Sequence, residues 1–274
     1  MGPAPRKRGH PPVLKKYGQH FLNDKKILTA IVDALAPTDS DTVVEVGPGR
    51  GSLTDILIER SGRVIGIEID RELADQLGKK YQDRKNVQIV KGDVLEVELH
   101  ALAGPDFLLI GNVPYYITTP IVFKALEPPI PRRSVFLVQR EVAERMAASE
   151  DTEAYGALSV NVGAVAHVEH VLNVPAGAFQ PPPKVESAVV RLTPRPTPLV
   201  SRESQPAFRV FVQAVFGLRR KQMQKVLRTV RGINPEEASA MLELVGINPT
   251  ARPEVLSPET FAKLFSQLWP ENLF

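Results

Sequence analysis

Short apolar segments alternate with segments of helical periodicity through the first two thirds of this 274-residue chain. The apolar stretches at 42–46, 63–69, 87–90, 107–110 and 135–138 are too short for buried helices and predict strands. Helices are predicted at 25–35, 71–81, 120–126 and 141–148, and another begins near Ser52, which we assign as its N-cap. Strands that alternate with helices predict a parallel sheet covered on both faces, so the fold class is α/β.

The pattern changes after residue 150. A helix is predicted over 155–166, and two late strands over 168–174 and 185–192 complete the sheet. Pro194, Pro196 and Pro198 indicate a linker, after which the sequence is helical and poor in strands. We therefore predict a basic N-terminal tail over 1–17, an α/β domain over 18–200 and a smaller all-helical domain over 201–274.

Composition excludes several classes of protein. No apolar run approaches the roughly 20 residues of a membrane-spanning helix, and the basic N-terminus is followed by polar sequence, so we expect a cytoplasmic protein. The chain has no cysteine, which excludes disulfides, thiolate metal sites and cysteine nucleophiles. Its five histidines are scattered along the sequence, so we expect no metal site.

A glycine-rich turn, Gly47-Pro48-Gly49-Arg50-Gly51, follows the first predicted strand of the sheet. Such a turn lets the backbone approach a ligand closely at the carboxyl edge of a parallel sheet. A dinucleotide-binding fingerprint requires G-x-G-x-x-G, and Ser52 stands where its last glycine belongs. The shorter G-x-G-x-G pattern indicates a nucleoside ligand without a pyrophosphate.

Two carboxylates follow the next two strands. Glu68 lies at the end of the second strand, about 20 residues past the turn, where a carboxylate can accept both hydroxyls of a ribose. Asp93 follows the third strand, where it can accept a hydrogen bond from an adenine amine. Either carboxylate alone is most often a helix cap or a surface charge. Together with Gly47 and Gly49, they predict a nucleoside cofactor.

The tetrapeptide Asn112-Val113-Pro114-Tyr115 follows the fourth strand. An adenine N6 amine is a poor nucleophile because its lone pair is delocalised into the ring. Acceptors around its hydrogens favour localisation of that pair, and the Asn112 side-chain oxygen and the Val113 carbonyl suit this role. Pro114 stiffens the turn, and Tyr115 offers a face on which a base can stack. Elsewhere in a fold, the same residues would be a loop with a core tyrosine.

Six ordered motifs closely resemble the ribosomal RNA adenine dimethyltransferase family. They are Gly18-Gln19-His20-Phe21-Leu22, Glu45-Val46-Gly47-Pro48-Gly49, Asn112 to Tyr115, Gln139-Arg140-Glu141-Val142-Ala143, Phe179-Gln180-Pro181-Pro182-Pro183-Lys184-Val185, and Phe216 to Lys221. The resemblance covers nearly the whole chain. It implies a Rossmann-like class I methyltransferase sheet with a smaller C-terminal all-helical domain. Bacterial members dimethylate two adjacent adenosines near the 3′ end of small-subunit RNA.

The resemblance also implies a cofactor, a partner and site residues. The cofactor is S-adenosyl-L-methionine, and the partner is 16S ribosomal RNA in the small ribosomal subunit or its precursor, bound by a monomer. The implied cofactor contacts are His20, Leu22, Gly47, Glu68, Asp93 and Asn112. Phe179 is expected as the second wall of the base pocket. Val113 replaces the leucine most often found there, which matters little because its backbone carbonyl is the group used.

A basic segment near the C-terminus is the predicted RNA-binding surface. Arg219, Arg220, Lys221, Lys225, Arg228 and Arg231 lie in a stretch without acidic residues. On a helix, Lys221, Lys225 and Arg228 would share one face, as a phosphate-contacting stripe requires. A solvated helix face is the alternative.

Other functions fit the sequence less well. A DNA adenine methyltransferase would share the Asn112 motif, but the sequence shows no obvious DNA-reading module. A nicotinamide-dependent dehydrogenase conflicts with the glycine spacing. A ribosome-assembly factor whose binding matters more than its catalysis remains open, although the intact Asn112 motif and glycine turn favour retained activity.

Overall fold

The computed structural model describes residues 20–128 and 130–269. The predicted basic tail, with Arg6, Lys7, Arg8, Lys15 and Lys16, lies outside the described residues, as do Gly18 and Gln19.

A seven-stranded sheet forms the centre of the fold, in the order β4-β3-β2-β5-β6-β9-β7. Its strands are β2 (Thr42–Val46), β3 (Arg63–Glu68), β4 (Val87–Lys91), β5 (Leu108–Asn112), β6 (Arg133–Gln139), β7 (Ala166–Val174) and β9 (Ser187–Pro194). The first five pair in parallel, as predicted, whereas β9 is antiparallel to both β6 and β7. Two short strands, β1 (Phe21–Leu22) and β8 (Phe179–Gln180), form a separate antiparallel pair that the sequence analysis missed.

Seven helices accompany the strands in the described part of the chain, and four more follow them. The first group is α1 (Lys25–Leu35), α2 (Ser52–Leu57), α3 (Arg71–Lys80), α4 (Leu99–Ala103), α5 (Thr118–Ala125), α6 (Arg140–Ala147) and α7 (Ala157–Gly163). The second group is α8 (Gln205–Phe216), α9 (Met223–Arg231), α10 (Pro235–Leu244) and α11 (Pro258–Leu268). Helix α4 was not predicted, and α7 is shorter than the predicted 155–166.

The cap of helix α2 corrects the prediction for Ser52. Gly51 is the N-cap, and Ser52 is the first residue of the helix. Gly51 has φ of +80°, a left-handed conformation that glycine adopts without the steric cost of a Cβ atom. A Cβ at this position would also lie 2.3 Å from the Tyr81 hydroxyl. The glycine turn therefore extends to the start of the helix.

Strand order determines where the site lies. Strands β3 and β4 lie on one side of β2, while β5 and β6 lie on the other. A crevice forms at such a reversal, outside the carboxyl ends of the strands. Gly47, Glu68, Asp93 and Asn112 all lie at or just beyond those ends.

Apolar packing continues from the sheet into the C-terminal helices. Val190 and Phe136 of the sheet belong to the same buried cluster as Phe211 of α8 and Phe261 of α11. The Phe211 and Phe261 rings pack 6.4 Å apart between centroids. Because this core is continuous, the division near residue 200 stays a prediction. Helices alone follow β9 in the described residues, as the sequence indicated.

Candidate active site

One cavity at the carboxyl edge of the sheet brings together ten of the eleven residues predicted for cofactor binding and catalysis. They are His20, Leu22, Gly47, Gly49, Glu68, Asp93, Asn112, Val113, Pro114 and Tyr115. Three strands, β1, β3 and β5, and the segments that adjoin β1, β2, β4 and β5 supply them, so the cavity exists only in the folded chain.

The glycine turn forms one wall of the cavity. The Gly47 N–H donates to the Ile67 carbonyl at 2.9 Å, which ties the turn to strand β3. A Cβ on Gly47 would lie 3.8 Å from the Asn112 carbonyl oxygen, and one on Gly49 would lie 3.1 Å from the Phe21 ring. The turn therefore runs beside the end of β5, and the absence of a side chain at Gly47 and Gly49 keeps space for a ligand.

Glu68 is held at the cavity by two backbone amides. Its side chain accepts the Gly49 N–H at 2.9 Å and the Asp70 N–H at 3.0 Å, one on each oxygen. The residue is 4% exposed, and burial raises the pKa of its carboxyl, although these hydrogen bonds act in the opposite direction. Each carboxylate oxygen keeps a second lone pair, so Glu68 can still accept ribose hydroxyls.

Asp93 lies in the loop after β4. One side-chain oxygen accepts the Leu95 N–H at 2.9 Å, which fixes the carboxylate against its own loop. Asp93 lines the cavity, and its carboxylate oxygens keep lone pairs that can accept a hydrogen bond from a ligand. The arrangement suits acceptance of an amine hydrogen.

Glu45 is a cavity residue whose importance the sequence analysis missed. It lies within strand β2, is 1% exposed and accepts a hydrogen bond from the Thr54 hydroxyl at 2.6 Å. Burial raises the pKa of Glu45 to about 8. An acidic residue inside the apolar run Thr42–Val46 was the available signal, since unpaired charges are rarely buried.

Asn112 is oriented by a long-range hydrogen bond. Its side-chain Nδ2 donates to the His20 carbonyl at 3.1 Å. Because the two arms of an amide point in different directions, Oδ1 is turned away from that carbonyl and can accept from a ligand. Val113 is buried beside it, and Pro114 follows, with a short 3-10 turn from Tyr115 to Ile117.

Tyr115 is fixed at both ends of its side chain. The ring stacks on His20, with centroids 5.9 Å apart and planes inclined by 25°. The hydroxyl hydrogen-bonds the buried Ser187 hydroxyl at 2.6 Å, and burial raises the Tyr115 pKa. His20 is itself bonded through Nδ1 to the Pro181 carbonyl at 2.9 Å. The ring is therefore a preorganised stacking surface.

Phe179 lies outside the cavity lining in the described chain. It is in β8, paired with Leu22 of β1, and is 5% exposed in the core beneath the sheet. Its role as a second wall of the base pocket stays a prediction.

Comparison with known proteins identifies the chain. The sequence model of the ribosomal RNA adenine dimethylase family matches residues 13–269. The chain belongs to this family. It is 41% identical over 260 residues to the ribosomal RNA small subunit methyltransferase A of Caldanaerobacter subterraneus subsp. tengcongensis, covering 93% of this chain and 97% of that protein. Identity to the enzyme of the same name from Levilactobacillus brevis is 39% over 269 residues, with 94% and 91% covered.

Solved structures of similar proteins confirm the predicted fold class. The dimethyladenosine transferase from Plasmodium falciparum has a TM-score of 0.75 at 27% identity, covering 89% of this chain and 96% of that one. The 23S rRNA methyltransferase ErmE has a TM-score of 0.72 at 29% identity, covering 90% and 99%. The class I methyltransferase sheet and the helical C-terminal region are confirmed, as is the prediction of an adenine dimethyltransferase acting on ribosomal RNA.

The basic segment of this adenine dimethylase differs from the predicted helical stripe. Lys221 precedes helix α9, whose N-cap is Gln222, so it does not share a helix face with Lys225 and Arg228. The start of α9 is fixed by tertiary contacts, because the Met223 and Gln224 amides donate to carbonyls of the 249–251 loop at 2.8 and 3.0 Å. Arg220, Lys221, Lys225 and Arg228 are nevertheless all exposed.

Arg219 is engaged within the protein. It forms an ion pair with Glu254 at 2.8 Å and donates to the Glu153 and Thr152 carbonyls at 3.1 and 3.2 Å. Arg231 lies over the Trp269 ring, 4.5 Å from its centroid. The sequence showed no acidic neighbour, but the fold supplies one to Arg219.

Within residues 20–128 and 130–269, no cluster of three or more histidine, aspartate or glutamate side chains is arranged to hold a metal ion. None of the described helices is long and apolar enough to cross a membrane.

Proposed function

We propose that this enzyme transfers methyl groups from S-adenosyl-L-methionine to the N6 amines of two adjacent adenosines near the 3′ end of 16S ribosomal RNA, during biogenesis of the small subunit. The observation that carries the proposal is the position of Asn112. Its amide is anchored to the His20 carbonyl, at the edge of a cavity that also contains Glu68 and Asp93. Similarity to the small subunit methyltransferases supports the choice of RNA.

The residues of the cavity fit the proposed cofactor. Glu68 accepts hydrogen bonds from the ribose hydroxyls, and Asp93 accepts one from the adenine amine. Gly47 and Gly49 have no side chain, which lets the backbone of the turn approach the ligand closely. His20 and Leu22 close the cavity from strand β1 and the residue before it. When bound, the cofactor supplies an electrophilic methyl group.

The remaining residues act on the target base. Tyr115 stacks on the adenine, and Phe179 closes its other side when the base is inserted. Asn112 Oδ1 and the Val113 carbonyl accept the two amine hydrogens, which directs the nitrogen lone pair towards the cofactor and stabilises positive charge that develops on the nitrogen. A base can reach this position only when it is unstacked, and an irregular RNA loop permits this at lower cost than a duplex.

Exposed cations dock the RNA in this scheme. Arg220, Lys221, Lys225 and Arg228 contact phosphates, which adds affinity without sequence information. The enzyme acts as a cytoplasmic monomer on the small subunit or its precursor, since one chain supplies every residue of the proposed site.

A methylation assay tests the proposal directly. Small subunits from a strain lacking the gene are incubated with the enzyme and cofactor, and the digested RNA is examined by mass spectrometry for N6,N6-dimethyladenosine. Large subunits and double-stranded DNA are the control substrates. Dimethylation of two neighbouring adenosines near the 3′ end is expected. Methylation of DNA or of large-subunit RNA at an equal rate would contradict the assignment.

A further inference from the structure

Arg50 is a cavity residue that the proposed mechanism does not use. It lies in the turn between Gly49 and Gly51 and lines the cavity. Its Nε–H is shielded from solvent and meets no acceptor among the described residues. Guanidinium nitrogens carry five donors and no acceptor, so a shielded donor without a partner is costly.

The carboxylates that share the cavity do not neutralise Arg50. Within the described chain, none lies within ion-pair distance of its guanidinium, although Glu45, Glu68 and Asp93 line the same cavity. Glu45 is bonded to Thr54, and Glu68 is bonded to two backbone amides. The positive charge of Arg50 therefore has no negative partner among the described residues.

Contact with an aromatic ring holds the guanidinium in place. Arg50 Cζ lies 4.1 Å from the centroid of the Phe21 ring. Phe21 is itself buried and packs against Gly49, so the ring forms a fixed support. Stacking on an aromatic ring orients the planar fork and leaves its edge available for hydrogen bonds. Burial lowers the pKa of Arg50, yet an arginine side chain stays charged.

We infer that Arg50 binds an oxyanion that enters the cavity. The inference rests on the proposed function, which offers two sources of that chemistry: the amino-acid carboxylate of the cofactor, and a phosphate beside the target adenosine. Either group can take two parallel hydrogen bonds from a guanidinium, which would satisfy the unpartnered donor and the charge together.

The experiment compares Arg50→Met with the matched variant Arg50→Lys. Methionine keeps an apolar stem over Phe21 without charge, and lysine keeps the charge without the planar fork. Isothermal titration calorimetry measures binding of S-adenosylhomocysteine, which has the carboxylate, and of 5′-deoxy-5′-methylthioadenosine, which lacks it. Binding to undermethylated small subunits is measured in parallel across a range of salt concentrations, and thermal melts verify folding.

Two results support the inference and identify the source. If the cofactor carboxylate is bound, Arg50→Met weakens S-adenosylhomocysteine binding by about 10- to 100-fold and leaves methylthioadenosine binding unchanged, with lysine intermediate. If an RNA phosphate is bound, nucleoside binding stays unchanged, while subunit binding weakens and its salt slope falls by about 0.7 to 0.9.

Two other results overturn it. Equal weakening of both nucleosides would show that Arg50 merely packs the turn, and unchanged binding of all three ligands would show that it needs no anion. Failure of the unsubstituted enzyme to bind S-adenosylhomocysteine would instead contradict the proposed function. The role of Arg50 is judged separately, from the differences between the unsubstituted enzyme and its variants.

Discussion

Arg219 and Glu254 are joined by an ion pair with 2.8 Å between Nε and Oε2, although they lie 35 residues apart in sequence. Arg219 also binds two carbonyls of the 152–153 segment. This arginine therefore connects the turn after α8 to two other segments. Within the basic segment, Arg219 therefore has a structural role, whereas Arg220, Lys221, Lys225 and Arg228 are exposed.

We expect Arg219→Ala to lower the free energy of unfolding by about 1 to 2 kcal/mol, because it removes an ion pair and two carbonyl contacts at a partly exposed site. Replacing Arg220 and Lys221 together with alanine is the matched control and should leave stability nearly unchanged. Urea unfolding measures both. Equal stability of the two proteins would refute the structural role of Arg219.

Arg220 and Lys221, which are exposed, should affect RNA binding and not stability. Alanine at Arg220 and Lys221 is expected to weaken small-subunit binding and to reduce its salt slope by up to about 0.7 to 0.9 per lost phosphate contact. Cofactor affinity, measured by calorimetry, should stay unchanged because these residues do not line the cavity. An unaltered salt slope would mean that they form only a solvated surface.

Asn112→Ala is expected to reduce turnover by about 10² to 10³, since it removes an acceptor for the amine hydrogens. Some loss of cofactor affinity should follow, because the bond to the His20 carbonyl is also lost. Asn112→Asp retains an acceptor and should be less impaired than alanine. Single-turnover rates at saturating cofactor separate chemistry from binding, and near-normal rates in the alanine variant would contradict the proposed role.

Glu68→Ala should weaken cofactor binding by about 1.5 to 3 kcal/mol, the scale of charge-assisted hydrogen bonds. The structure adds a second consequence. Because Glu68 also accepts the Gly49 and Asp70 amides, the variant should unfold more easily while still folding. Glu68→Gln keeps one acceptor, so its cofactor affinity should lie between that of the parent and that of the alanine variant. Calorimetry showing full affinity in a folded alanine variant would remove Glu68 from the site.

Glu45 should make stability depend on pH. Its pKa is about 8 in the folded protein, against an ordinary value of 4.5 when unfolded, so between these pH values the folded state holds a proton that the unfolded state has lost. The stabilisation is complete below pH 4.5 and is lost as pH rises through 8, on the order of a few kcal/mol in total.

Glu45→Gln tests this, since glutamine can still accept from the Thr54 hydroxyl and does not ionise. We expect the unfolding free energy of the variant to decline less than that of the parent between about pH 5 and 8. Binding of a cationic cofactor should also release more protons from the parent than from the variant, which calorimetry in buffers of different ionisation enthalpy detects. Parallel stability curves would show that Glu45 is not protonated in the folded protein.

Periodicity and strand-end chemistry were enough to predict most of the fold. Strand β2 and its glycine turn, with Glu68 at the end of β3, follow from local patterns that need no distant contact. The two-residue strands β1 and β8 were not predicted, because their pairing, Leu22 with Phe179, joins segments too short to show any period. The five-residue helix α4 was not predicted either, because it is also too short to show a clear period.

From residue types and their order along the chain, the class of fold could be predicted and the kind of ligand and the catalytic motif proposed, because each strand end in a parallel sheet reaches the same edge. Tertiary structure decided which charges remain available. Glu254 forms an ion pair with Arg219, and contacts with the 249–251 loop fix the start of α9 after Lys221. Arg50 was left without a negative partner in the described chain. Pairing depends on distances between segments far apart in sequence, and only the packed chain sets those distances.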